Sequence, residues 1–191
     1  MDPRTTPLFV IDVQNGFVND RSRHVVPVIA DLIDRWETAG GPVLFSRYFN
    51  HPDSPFVRLL GWTALQDTPE TDIVPELTEP AARAATAGLI VDKVTYSAFT
   101  PETLADFARR GWTDAILCGI ATDSCVLKTA ADAFEAGITP WIVTDACASE
   151  AGPDVHQAGL TVARRLIGSR HLVTTQDVAD FVPAPIERTC A

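Results

Sequence analysis

The stretch AILCGIATDSCVLKTAADAFEAG, Ala115 to Gly137, carries the plan of the fold. Ala115–Gly119 is a short, near-continuous apolar run, as expected of a strand covered on both faces. Asp123–Ala136 reads as a helix, and Gly137 stands where such a helix stops. Thr122 or Asp123 reads as its N-cap. Strand, tight turn and helix in this order are half of a βαβ unit.

The same alternation extends in both directions. Leu8–Val13, Val43–Tyr48, Leu89–Lys93, Thr139–Thr144 and His171–Thr174 read as further strands. Helical stretches lie at about Val25–Ala39, Pro101–Arg110 and Asp154–Ile167, with Gly40-Gly41 and Gly111 as stops. The reading is therefore an α/β protein, a single domain over residues 1–191. It is a Rossmann-like three-layer sandwich around a central, mainly parallel sheet of about six strands. Open sheets of this kind hold their sites beyond the carboxyl ends of the strands. Asn50–Gly88, with prolines at 52, 55, 69, 75 and 80, reads as an irregular segment with a functional or covering role.

Composition removes several classes of function. Of 191 residues 46% are hydrophobic and 21% charged, ordinary for a globular domain. No apolar run approaches the ~20 residues that span a bilayer, and the N-terminus lacks a basic segment followed by an apolar one. The reading is thus a cytoplasmic protein with no membrane partner. A net charge of −10 argues against nucleic acid, which needs clustered Lys and Arg. Cys118, Cys125, Cys147 and Cys190 form no CxxC pair and no zinc-type spacing with histidine. A thiol-redox role is disfavoured, since no resolving cysteine is near Cys125 in sequence.

Three strand ends carry chemistry. Asp12 follows the apolar run LFVI, and a carboxylate there must be solvated, paired or working. Lys93, one of only two lysines, ends the third strand. Cys125 falls in the first turn of the helix after the fourth strand, where the helix dipole lowers a thiol's pKa. Nucleophile, base and orienting cation are the parts that covalent acyl transfer needs. Gln14, Phe17, Tyr96, Phe99, Phe56 and Trp62 are the residues placed to line a pocket beside them. His156 and Asp145 read as structural hydrogen-bonding residues, and Lys128 as facing solvent or a neighbouring subunit.

The motifs LFVIDVQNGF, IVDK followed by YSAF, and CGIATDSCV together resemble the isochorismatase-like cysteine hydrolases, from about Leu8 to about Thr175. That resemblance implies a catalytic triad of Asp12, Lys93 and Cys125. It also implies a cis peptide between Ile120 and Ala121, which would aim the Ala121 and Cys125 amides at one point as an oxyanion hole. The implied activity is hydrolysis of a small amide, carbamoyl or ureido C–N bond through a thioester. Vinyl ether hydrolysis, as in the isochorismatases themselves, and a non-catalytic binding protein on the same fold are the alternatives. Nicotinamidases of the family carry an Asp-x-His metal motif where this chain has SRYFNHP, so Tyr48 and Asn50 replace the ligands, and His51 is one residue out of register. No metal and no other cofactor is therefore expected, and a homodimer or homotetramer is.

Overall fold

The computed structural model describes residues 2–181. Six strands form one sheet: β1 (Leu8–Ile11), β2 (Val43–Tyr48), β3 (Ile90–Lys93), β4 (Asp114–Ile120), β5 (Thr139–Ala148) and β6 (Leu172–Val173). Their order is β3-β2-β1-β4-β5-β6, and every neighbouring pair is parallel. The helices are α1 (Val26–Thr38), α2 (Pro55–Leu60), α3 (Thr78–Thr86), α4 (Pro101–Arg110), α5 (Leu127–Glu135), α6 (Pro153–Leu166) and α7 (Thr175–Phe181). None is long and apolar enough to cross a membrane.

The central strand explains its own sequence. Leu8, Phe9, Val10 and Ile11 are all fully buried, so both faces of β1 must be apolar. Each such side chain stabilises the fold by about 1.5–3 kcal/mol relative to exposure. At the far end of β4, Gly119 has φ +121°, and a Cβ there would stand 2.1 Å from the carbonyl oxygen of Ile11. Only glycine lets β4 close against the last residue of β1.

Several elements differ from the sequence reading. Asn50–Gly88 is not wholly irregular: it contains α2 and α3. Its prolines mislead because Pro55 and Pro80 sit in the first turns of these helices, where no N–H is needed. Ser54 caps α2 by accepting from the Val57 N–H at 3.1 Å, and Gly61 closes it at φ +68°. The helix read from Asp123 instead opens with a π-wound turn, Thr122–Val126, before α5. Neither Thr122 nor Asp123 acts as a side-chain cap, because Ala121 occupies the cap position. β5 runs four residues past Thr144, with a register shift opposite Leu117 and Gly119. α7 was hidden by its shortness; its first residue, Thr175, donates through both N–H and hydroxyl to Asp145, at 2.8 and 2.7 Å.

The strand order reverses between β1 and β4, which makes the gap beyond their carboxyl ends the switch point of the sheet. α6 packs on the π-wound turn there so closely that a Cβ on Gly159 would stand 2.8 Å from the Asp123 Cα. That contact fixes the turn carrying Cys125.

Candidate active site

Asp12 leaves β1 with φ +48°, an uncommon conformation that aspartate tolerates better than most residues. Its carboxylate is fully buried, and Ser46 Oγ on β2 donates to Oδ1 at 2.7 Å. The same hydroxyl accepts from the Asp12 N–H at 3.3 Å. The other oxygen, Oδ2, receives Lys93 Nζ at 2.6 Å, in an ion pair whose side chains are both 0% exposed. Lys93 comes from β3, two strands away, and its ammonium lies 5.4 Å from the centre of the Tyr48 ring. Its other oxygen contacts are the carbonyls of Thr95 and Tyr96, at 2.9 and 3.0 Å. All three N–H groups are thereby committed, so the buried charge is fully paired.

Cys125 Sγ lies 3.7 Å from the same ammonium. The structure thus brings Asp12, Lys93 and Cys125 to one point. The thiol is not acidic, contrary to the expectation from its helix position. Burial pushes it up, and so do the charge of Asp12 and the hydrogen bond to it, whereas Lys93 and Ser124 pull it down. Desolvation outweighs the dipole of one turn. Burial therefore favours the protonated thiol of Cys125 over the thiolate. The peptide joining Ile120 to Ala121 is cis.

A cavity of ≈ 310 Å³ opens onto Cys125. Phe17, Tyr48, Phe56, Trp62 and Tyr96 supply five rings to its wall, with Leu60; Asp123, Ser124 and Glu150 complete it. The rings brace one another: Phe56 meets Tyr96 at 4.8 Å and Tyr48 at 5.1 Å between centroids, and Phe17 stacks on Trp62 at 6.0 Å.

Four of the six residues expected at the pocket, Phe17, Phe56, Trp62 and Tyr96, are in that wall. Gln14 and Phe99 are not, and both are corrections. Gln14 is fully buried and bonds to backbone on two sides: its Nε2 donates to the Tyr48 and Thr71 carbonyls, and its Oε1 accepts from the Tyr48 N–H. Phe99 packs edge-on against Phe9 and Phe107 in the core. The sequence reading missed Ser46, Tyr48 as a wall residue, Asp123 and Glu150. Glu150 lies just past the end of β5, so the strand-end rule would have found it had β5 been carried to Ala148.

His156 Nδ1 stands 2.8 Å from Thr122 Oγ1, and Lys128 pairs with Asp132 on the exposed side of α5. Cys118 and Cys147 are buried free thiols, and Cys190 lies outside the described residues.

The residues where some relatives hold a metal do not fit one. Asn50 Oδ1 accepts from Ser54 Oγ at 2.5 Å, from the His51 N–H at 3.0 Å and from Tyr48 OH at 3.3 Å. Its Nδ2 donates to the Trp62 and Ala64 carbonyls. The amide is a brace for the 50–64 loop, and His51 is exposed. Among the described residues no three His, Cys, Asp or Glu side chains converge as ligands.

Fold and site together define a doubly wound α/β protein with a thiol, a carboxylate and an ammonium clustered at the switch point of its sheet. Residues 6–177 match the Isochorismatase domain family, and the chain belongs to it as an isochorismatase-like hydrolase. An uncharacterized isochorismatase family protein, YwoC of Bacillus subtilis (strain 168), is 29% identical over 145 residues, 72% of this chain and 74% of that one. The nicotinamidase PncA from Bacillus subtilis superposes with a TM-score of 0.77 at 26% identity, over 89% of this chain and 99% of that one. A cysteine hydrolase from Pseudomonas syringae pv. phaseolicola 1448A shares the fold, with a TM-score of 0.81 at 21% identity over 95% and 94% of the two chains.

Proposed function

We propose that the protein hydrolyses the C–N bond of a small amide, carbamoyl or ureido substrate through a thioester on Cys125. The observation that carries this reading is the buried Lys93–Asp12 ion pair with Cys125 Sγ 3.7 Å from its ammonium, at the wall of the cavity. Similarity to a nicotinamidase at 26% identity supports the same bond type.

Asp12 takes the thiol proton as Sγ attacks the carbonyl carbon. The transfer moves negative charge from one neighbour of Lys93 to another, so the ammonium stabilises both states. The tetrahedral oxygen rests on the Ala121 and Cys125 amides. The C–N bond then breaks as Asp12 returns its proton to the departing ammonia or amine. Water attacks the thioester, giving its proton to Asp12; the C–S bond breaks and Sγ is reprotonated. Lys93 and Ser46 hold the carboxylate in place throughout.

The test is release of ammonia from a panel of small amides and ureides, with mass spectrometry of the quenched enzyme. An adduct on Cys125 that decays with turnover is expected. Near-normal turnover by Cys125→Ala would overturn the thioester.

A further inference from the structure

Asp123 and Glu150, two acids of the cavity wall, each keep one carboxylate oxygen without a donor among the described residues. Asp123 Oδ1 and Glu150 Oε2 are shut off from solvent, and neither has a hydrogen-bond partner among the described residues. Both residues share the cavity wall with Cys125. A buried oxygen without a donor is costly and is usually retained for a reason. Burial holds the Glu150 carboxyl above its ordinary range, and the charge of Asp123 pushes it further the same way.

The remaining wall adds to this field. No Lys or Arg is among its described residues. The nearest ammonium, Lys93, spends its three N–H groups on Asp12, Thr95 and Tyr96. Arg21, whose side chain lies beside Gly152, donates to the Ala151 carbonyl. Lys128 is paired with Asp132. Five rings make up most of the remaining wall, and aromatic faces attract cations. At ≈ 310 Å³ the cavity is at the lower end of ligand sites, about 300–1,000 Å³, so its guest has few heavy atoms.

We propose that the cavity selects a small amide whose non-reacting end is cationic, an ammonium, guanidinium or amidinium group held by Asp123 and Glu150 among the aromatic walls. The inference rests on the amidohydrolase reading and names its substrate class. A substrate bearing carboxylates would set like charge against the two acids. Such a charge is disfavoured by the same geometry.

β-Alaninamide, butanamide and succinamate share one carbamoyl-ethyl unit and end in an ammonium, a methyl and a carboxylate. In kcat/KM for ammonia release, β-alaninamide is expected to exceed butanamide by about tenfold and succinamate by about a hundredfold. Glu150→Gln and Asp123→Asn are each expected to lower the first ratio toward one, and a ratio is insensitive to general loss of folded enzyme. The Cys125→Ala protein, titrated with the same three compounds by tryptophan fluorescence, should keep the order without turnover. Cation-selective binding with no ammonia from any compound would count against the amidohydrolase reading and leave only the cation preference of the cavity standing. Succinamate equal to or better than β-alaninamide, or no binding of any of the three, would overturn the cationic class.

Discussion

Ser46 Oγ clasps Asp12 from both sides, donating to its Oδ1 at 2.7 Å and accepting from its backbone N–H at 3.3 Å. One short side chain on β2 thus sets both where Asp12 leaves its strand and how its carboxylate is turned. Lys93 on the other oxygen completes the restraint.

Replacing Ser46 with Ala leaves Oδ1 buried and short of a donor. The expected loss of stability is about 1–3 kcal/mol, read by urea denaturation. The expected kinetic effect is a fall in kcat of about tenfold with KM held, because the hydroxyl orients a reacting group and does not meet substrate. A rise in KM at unchanged kcat would assign Ser46 to binding instead.

Lys93→Arg should be nearly as damaging as Lys93→Ala, with activity down by about a thousandfold or more in both. The ammonium meets three acceptors within 3.0 Å from a single nitrogen, inside a fully buried space. A planar guanidinium is wider and would push Asp12 away from Cys125. Arg-variant activity close to the parent would reduce Lys93 to a counter-ion.

Cys125 should be alkylated by iodoacetamide before Cys118 and Cys147, since it alone of the three lines the cavity. Labelling at neutral pH is expected to be slow for all three: burial pushes Cys147 up to about 12 and Cys118 and Cys125 upward as well. The Cys125 rate should climb through the whole alkaline range. A plateau near neutral pH, in time-resolved peptide mapping, would show a resting thiolate and contradict the upward push of burial on Cys125.

Glu150→Gln should stabilise the protein at neutral pH. Burial raises the Glu150 carboxyl above its ordinary 4.5, so in that window the folded state binds the proton more tightly than the unfolded chain does. Stability from this group is then present below the unfolded value and falls as pH rises through the folded one. The amide escapes that loss. Its Tm should exceed the parent's at neutral pH and converge with it under acid conditions. Equal Tm at every pH would mean that Glu150 ionises freely in the fold.

The sheet was legible because strands buried on both faces must be apolar throughout, as in Leu8–Ile11. The Asp12–Lys93 pair was legible because a charge at the end of such a run has few ways to survive. Loop and cavity residues follow other rules. Pro55 and Pro80 looked like breakers and proved to be helix starts. Gln14 and Phe99 read as pocket residues, but their side chains turn into the backbone network and the core. The acidity expected of Cys125 failed because depth of burial, which decides it, is a tertiary quantity. Asp123 was read as a cap, and the π-wound turn released it from that duty.

Gln14 ties the carbonyl of Tyr48 to that of Thr71 with one amide, so the chain between them leaves and rejoins the body side by side. Phe56, Leu60 and Trp62 all ride on that excursion, whereas Asp12, Lys93 and Cys125 lie outside it. Heredity can therefore lengthen, shorten or rewrite the excursion while Asp12, Lys93 and Cys125 are passed on intact. Descendants of such a chain would part company first in what they recognise, and only much later, if ever, in how they react.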